Sequence, residues 1–445
     1  MIFLRTTGIM MGLVLALCIG ACSEQARVGS TKAPAAGFII PELKPRPAGL
    51  AGAEFEKIRS RDSMLRSRIT ADTNDIEAYV AIAQIFMSEA RITGDHPYYY
   101  PAAGSTLDEA LRRRPDDLAA LLSKGSVLLS LHHFEEALQI AERARAISPS
   151  TAVVYGIICD ANLELGRYRE AVAAADRMVA LRPDLRSYSR VSYLREIHGD
   201  DRGAVAAMKM AVQAGAPGEE ETQWARYTLG NIYLRQGDQT AAENEFMMAL
   251  AERPRYPFAM AGIARVRAAQ GRSSEALALL DSAIALIPEF SFVELQADIR
   301  RAAGDDRGAD SLIAVVEEML GEDEAAGHLA DKEFAVLYAN HAVKSDEAER
   351  RARKELESRP ENIEAQHAYA LALLRRGDAE TARQYLKKAA RMGTNDPVMT
   401  AHLGLAEAKL GNREAARTEL RKALSIDPHL SPLLLREVRE TLAEM

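Results

Sequence analysis

Apolar and small residues recur along this chain at spacings of three and four, with charged residues between them. One block reads Leu229, Gly230 and Tyr233, then Ala242, Phe246 and Ala249, and ends at Pro254. Such spacings put side chains on one face of a helix, so the block predicts two helices joined by a short turn. Turns of this kind carry "LGRY", "QGDQ", "QGRS", "AGDD", "RGDA" and "LGNR". A glycine there suits the left-handed residue that ends a helix. Prolines close the blocks at a fixed interval. Pro115, Pro149, Pro183 and Pro217 are 34 apart, as are Pro254 and Pro288, and Pro360 and Pro428 are 68 apart. Proline cannot continue a helix and fixes the connection to the next block.

A 34-residue period with this patterning resembles the tetratricopeptide repeat. The resemblance implies an all-α, right-handed superhelical solenoid of about ten helical hairpins over residues 75–428, the fourth and eighth degenerate. Gly125, Gly230, Ala264 and Gly404 are small where the first helix of a hairpin meets the second, and Cys159 stands at the same place as a small buried thiol. Ala137, Ala171, Ala242, Ala276, Ala309, Ala382 and Ala416 keep the second helix close. Amphipathic segments at 51–74 and 429–445 predict capping helices over the apolar ends of the stack. Two stretches depart from the period. In the first repeat Ala103 arrives eight residues late, so 92–101 reads as an insertion between its two helices. It carries His96, Tyr98, Tyr99 and Tyr100, either as a partner-contact loop or as a cover for the end of the stack. Residues 321–331, rich in acid and glycine, read as a longer loop.

Composition adds limits. With 48% hydrophobic, 27% charged and 6% aromatic residues the chain is ordinary for a globular protein. A net charge of −8 argues against nucleic acid as a partner, since phosphates call for a basic face. Residues 1–21 read as a signal peptide: Arg5, then the apolar run "GIMMGLVLALCIGA". Ile19-Gly20-Ala21-Cys22 resembles the bacterial lipobox, which implies cleavage before Cys22 and lipid on its thiol and new amine. Ser23 follows, which in that family's sorting rule implies the outer membrane, facing the periplasm. Residues 22–50, with Pro34, Pro41, Pro45 and Pro47, read as a lipid-anchored flexible tether. Only Cys159 then remains, so no disulfide can form within the processed chain.

Candidate chemistry is sparse. The carboxylates look spread over solvated helix faces beside Arg and Lys, and there is no phosphate loop, HExxH or CxxC. His132 and His133 are adjacent, a poor chelating pair on a helix, and His198, His328, His341, His367, His402 and His429 share no ligand spacing. No catalytic residue, cofactor or metal is therefore expected. What remains is surface. The resemblance implies a concave groove lined by the first helix of each hairpin. The family's lysine and asparagine clamp for a peptide carboxylate is missing, because Leu122 with Ser126, Gly156 with Asp160, and His367 with Leu371 stand in its places. The middle repeats offer Arg186, Arg190, Tyr193, Trp224, Tyr227, Asn231, Phe258 and Arg265. Aromatics beside arginines anchor many protein interfaces. The expectation is a membrane-anchored periplasmic scaffold that binds a protein or peptide without catalysis. The alternative is a glycan- or small-ligand-binding component of an envelope export or assembly system.

Overall fold

Aspartate and asparagine start many of the helices, because a short polar side chain can accept an orphan N–H of the first turn. Asp75 accepts from Ala78, Asp117 from Ala120, Asn362 from Ala365 and Asp396 from Met399. The computed structural model describes residues 38–47 and 49–445. The signal segment 1–21, the lipobox Cys22 and the tether up to residue 37 lie outside the described residues. Residues Ile40–Met445 pack as one unit. Its helices begin with α1 (Ala53–Ala71). Hairpins follow: α2 (Ile76–Thr93) with α3 (His96–Arg113), α4 (Leu118–Ser130) with α5 (Phe134–Ile147), α6 (Ala152–Glu164) with α7 (Tyr168–Leu181), α8 (Leu185–Ile197) with α9 (Asp201–Ala214), and α10 (Glu220–Arg235) with α11 (Gln239–Glu252). Then come α12 (Pro257–Ala269) with α13 (Ser273–Ile284), α14 (Phe290–Ala302) with α15 (Asp306–Ala325), α16 (Asp331–Asn340) with α17 (Ser345–Ser358), α18 (Ile363–Arg376) with α19 (Ala379–Ala389), and α20 (Pro397–Lys409) with α21 (Arg413–Ile426). α22 (Pro432–Ala443) closes the order. The described residues thus form ten hairpins between a first and a last single helix, an all-α solenoid. None of their helices is long and apolar enough to cross a membrane.

Small residues set the packing distance. Ala137, Ala171, Ala242, Ala276, Ala309, Ala382 and Ala416 are fully buried. The Phe246 ring of α11 wedges against Gly230 of α10 and Gly262 of α12, and a Cβ at either glycine would overlap it.

Three boundaries differ from the sequence reading. Residues 92–101 are not an inserted loop. The extra residues lengthen both helices, so α2 and α3 have 18 residues each where α4 and α5 have 13 and 14. His96–Pro101 is the start of α3, where Pro97 sits in the first turn and needs no N–H. Continuing the helices pairs the backbone within them, apart from the N–H that Pro101 lacks, and buries Tyr99 and Tyr100. Residues 321–331 are mostly helix as well, since α15 runs on to Ala325. The tether is also shorter than 22–50. From Ile40 on the chain is strapped to the first repeat. The Tyr98 and Tyr99 hydroxyls donate to the carbonyls of Glu42 and Lys44 at 2.7 and 3.3 Å. Arg46 forks onto Glu89 at 2.7 and 2.6 Å, with side-chain exposures of 2% and 0%.

The hairpins wind tightly enough that successive superhelical turns touch. The Leu329 N–H donates to the Leu131 carbonyl at 3.1 Å. The Asn362 amide donates to the Glu164 carbonyl at 2.9 Å, and the Ile363 N–H to the Tyr168 hydroxyl at 2.9 Å. The Asn395 amide donates to the Asp201 carboxylate at 2.9 Å. At the start of the seam Arg253 meets Glu54 at 3.2 Å. Each of these contacts spans 194 to 199 residues of sequence, so one superhelical turn takes roughly six repeats. Glycine in the turn inside a hairpin makes the approach possible. Gly166 and Gly199 adopt φ of 75° and 76°, and a Cβ on them would overlap the Glu361 carbonyl and the Gly393 oxygen across the seam.

At the far end α22 packs on α14 and α20. Arg375 of α18 forks onto its Glu437 at 2.6 and 2.9 Å, and Leu434 and Val438 are buried. The concave face of the last repeats is thus covered by the chain's own C-terminal helix.

The seam gives one direct test. Replacing Tyr168 with Phe deletes only the hydroxyl that accepts the buried Ile363 N–H. The expected cost is about 1–3 kcal/mol for an orphaned buried donor. Hydrogen exchange should lose protection at Ile363 first, and an unchanged Ile363 amide would deny the seam contact.

Candidate interaction surface

Three aromatic side chains stand at one register position in successive hairpins: Trp224 in α10, Phe258 in α12 and Phe292 in α14. Their rings meet edge to face. Trp224 and Phe258 have centroids 5.1 Å apart at 90°, and Phe258 and Phe292 are 5.4 Å apart at 73°. This is the arrangement that aromatic quadrupoles prefer. Tyr227 leans on both Trp224 and Phe258, at 5.4 and 5.6 Å. The ladder runs from a buried end to an open one: Phe292 is 2% exposed and Trp224 46%.

Of the residues that the sequence singles out, the structure brings Trp224, Tyr227 and Phe258 into one cluster. It also joins Arg265 to Asn231, whose side-chain oxygen accepts at 2.9 Å. The other three are engaged elsewhere. Arg186 pairs with Glu221 of α10. Arg190 grips Asp160 and the Gly156 carbonyl, at 2.8 and 3.3 Å from Nε. Burial works against its charge, yet the Asp160 carboxylate outweighs burial and the pKa rises. Tyr193 reaches across the seam and donates to Glu364 at 2.9 Å. Phe292 is absent from the sequence reading, although counting 34 on from Phe258 finds it. His96, Tyr98, Tyr99 and Tyr100 form no contact loop. His96 lies against Tyr100, with ring centroids 5.4 Å apart, and burial lowers its pKa.

The seam holds charges that the sequence reading placed on solvated faces. Glu364 of α18 accepts from Lys332 of α16 at 2.9 Å as well as from Tyr193. The Lys332 ammonium holds the Glu364 carboxyl well below the usual carboxylate range. Glu164, close by, is pushed up by burial and by the charge on Glu364. Arg359 bridges Glu164 and Glu355. These carboxylates converge because two superhelical turns meet there, so helix-face periodicity could not reveal them.

The histidines also converge. His132 Nδ1 and His328 Nε2 are 3.1 Å apart, and His367 Nε2 and His402 Nδ1 are 2.8 Å apart. Burial, with Lys332 beside one ring and His132 beside the other, lowers His132 and His328 to about 4. Both are therefore neutral at neutral pH. Cys159 is fully buried, and burial pushes its thiol up to about 12, far from the reactive thiolate range.

Asp323 at the end of α15 gives a pH prediction. It is 9% exposed, and burial, helped by Glu322 and Glu333, pushes it up to about 6. An acid whose pKa rises on folding prefers to be protonated when folded. Its contribution is most favourable below the unfolded value near 4 and is lost as pH rises to about 6. Asp323→Asn should therefore stabilise the protein at pH 8, by at most about 3 kcal/mol, and do little at pH 4. Melting curves at the two pH values check this, and equal shifts at both would sink it.

Tetratricopeptide-repeat family models match residues 100–152, 227–289, 344–397 and 401–430. No curated protein sequence matches the chain. Several solved structures are similar. A thermophilic tetratricopeptide-repeat protein of Thermus thermophilus is 19% identical over 46% of this chain and 99% of its own, with a TM-score of 0.37. Yeast Tom70 is 14% identical over 83% of this chain and 89% of its own, with a TM-score of 0.34. The Cut9–Hcn1 structure from the APC/C is 13% identical over 86% and 94%, with a TM-score of 0.37. With ten helical hairpins on a 34-residue period and family matches in both halves of the array, this chain is a tetratricopeptide-repeat protein.

Proposed function

We propose that the chain is a non-catalytic adaptor of the bacterial cell envelope, anchored through lipid on Cys22 at the outer membrane and facing the periplasm. Its partner is a protein that docks on the aromatic ladder of the fifth to seventh repeats. The tetratricopeptide fold is that of a protein-interaction scaffold, which supports the general role. The observation that carries the specific reading is Trp224, 46% exposed although Phe258 and Tyr227 pack against it. A large ring held rigid by its neighbours and left open to water offers much contact area at little entropic cost. Arg265, exposed and oriented by Asn231, stands one hairpin along. The last repeats offer less, because α22 covers their concave face. The lipobox-like run Ile19-Gly20-Ala21-Cys22 supplies the anchor.

A photo-crosslinking amino acid at position 224 tests the docking surface in intact cells. It should capture one defined protein, and the same group at the exposed Met247 of α11 should not. The folded double variant Trp224→Ala/Arg265→Ala should weaken that capture at least about 10-fold, the scale of losing one central anchor. Unchanged capture would remove the ladder from the interface. A glycan bound in place of a protein would favour the export or assembly alternative. Replacing Cys22 with Ala should release the chain from membranes, and a variant that still fractionates with them would end the anchor proposal.

A further inference from the structure

The turn between α4 and α5 and the turn between α15 and α16 meet across the seam. There His132, His328 and Glu333 each aim one ligand-type atom into one small space, and all three atoms lie within 4.8 Å of one another. We propose that these residues form a site for one divalent d-block cation, zinc by preference, which clamps two successive superhelical turns together.

The geometry fits. Zinc holds nitrogen and oxygen ligands at about 2.0–2.1 Å in a tetrahedron, which puts neighbouring ligand atoms about 3.3 Å apart. His132 Nδ1 and His328 Nε2 already stand 3.1 Å apart. The Leu329 carbonyl is also 3.1 Å from His132 Nδ1, at the same spacing. It or a water takes the fourth position. Two imidazoles and a carboxylate suit zinc, whereas magnesium and calcium call for oxygen ligands throughout. Each ring needs a free lone pair at the inward nitrogen. Each must therefore carry its proton on the other one, a tautomer change that leaves net charge unaltered.

Two further observations point to a ligand. Oε2 of Glu333 is buried and has no hydrogen-bond partner among the described residues. A buried carboxylate oxygen left unpaired is costly. Lys332 does not relieve it, since its ammonium lies 2.9 Å from Glu364 and 3.7 Å from Oε1 of Glu333. The second observation is backbone. His132 has a φ of 63°, in the left-handed position that Gly166, Gly199, Gly237 and Gly271 fill in the following hairpins. A histidine there is strained, and such strain concentrates at functional positions. The surroundings fix both turns in place. His133 Nε2 binds the Gly327 carbonyl at 2.8 Å, and the Leu329 N–H binds the Leu131 carbonyl at 3.1 Å. The two histidines come from points 196 residues apart, so the cation would reinforce a contact between segments distant along the chain.

The test uses the full chain, stripped with chelator and freed of any histidine tag, and titrated with cobalt and zinc chlorides. The expected result is one cation per chain, a cobalt spectrum of tetrahedral type that zinc abolishes, and a higher melting temperature with zinc. His132→Ala and His328→Ala should lose all three effects. Glu333→Gln keeps the shape of the side chain and serves if the histidine variants fail to fold. It should weaken zinc at least about 10-fold. A wild-type chain that takes up no zinc overturns the proposal. So does zinc affinity that is the same in Glu333→Gln as in the wild type.

Discussion

The structure rests on one close approach, the seam where the turn inside a hairpin meets a connection about 195 residues later. A helical solenoid ordinarily holds each repeat only to its neighbours, and its stability is a sum of local terms. Here backbone groups pair across superhelical turns, as between Leu131 and Leu329 or Tyr168 and Ile363. At two of the crossings the approach needs bare backbone on one side. Gly166 and Gly199 supply it, and their positive φ also ends the first helix of the hairpin. One residue type therefore serves both the local turn and the long-range contact. The winding, and with it the curvature of every concave surface, follows from that.

Closing the seam changes the electrostatics of the chain. Side chains that face solvent in an open solenoid are enclosed between two turns. Glu364, Lys332, Tyr193, Glu164 and Arg359 gather there from the third, fourth, eighth and ninth hairpins, Lys332 neutralising Glu364 and Arg359 neutralising Glu164, while the Tyr193 hydroxyl donates to Glu364. Taking charges out of water is costly, and each partner lowers that cost for the other. The same enclosure brings His132 to His328. Apolar surface stays open where neither the seam nor α22 reaches it, and the exposed end of the aromatic ladder at Trp224 lies in such a place.

Much of the candidate surface was legible from periodicity. Trp224 and Phe258 share a register position, and a 34-residue count links them to Phe292. The fate of the arginines was not legible. Arg190 and Arg265 occupy comparable faces of their helices, yet one is bound to Asp160 and the other rests on Asn231 with its end exposed. The difference comes from the residue on the first helix of the preceding hairpin, which a single helix wheel does not see. The stretch His96–Pro101 shows the limit of counting. Eight extra residues fit an inserted loop and a pair of longer helices equally well. Burial of Tyr99 and Tyr100, together with the strap held at Glu42 and Lys44, decides for the helices.

By itself, then, the sequence determined the hairpin, its 34-residue period, the small residues that set helix distance and the glycines that end the first helices. All of these follow from interactions within one or two repeats, where spacing along the chain fixes spacing in space. Only the tertiary structure decided how tightly the hairpins wind, and so which distant turns meet. The pairing of His132 with His328, the charge cluster around Glu364 and the covering of the last concave face by α22 all depend on that winding. Small changes in the angle between neighbouring hairpins accumulate over roughly six repeats, and no local pattern encodes their sum.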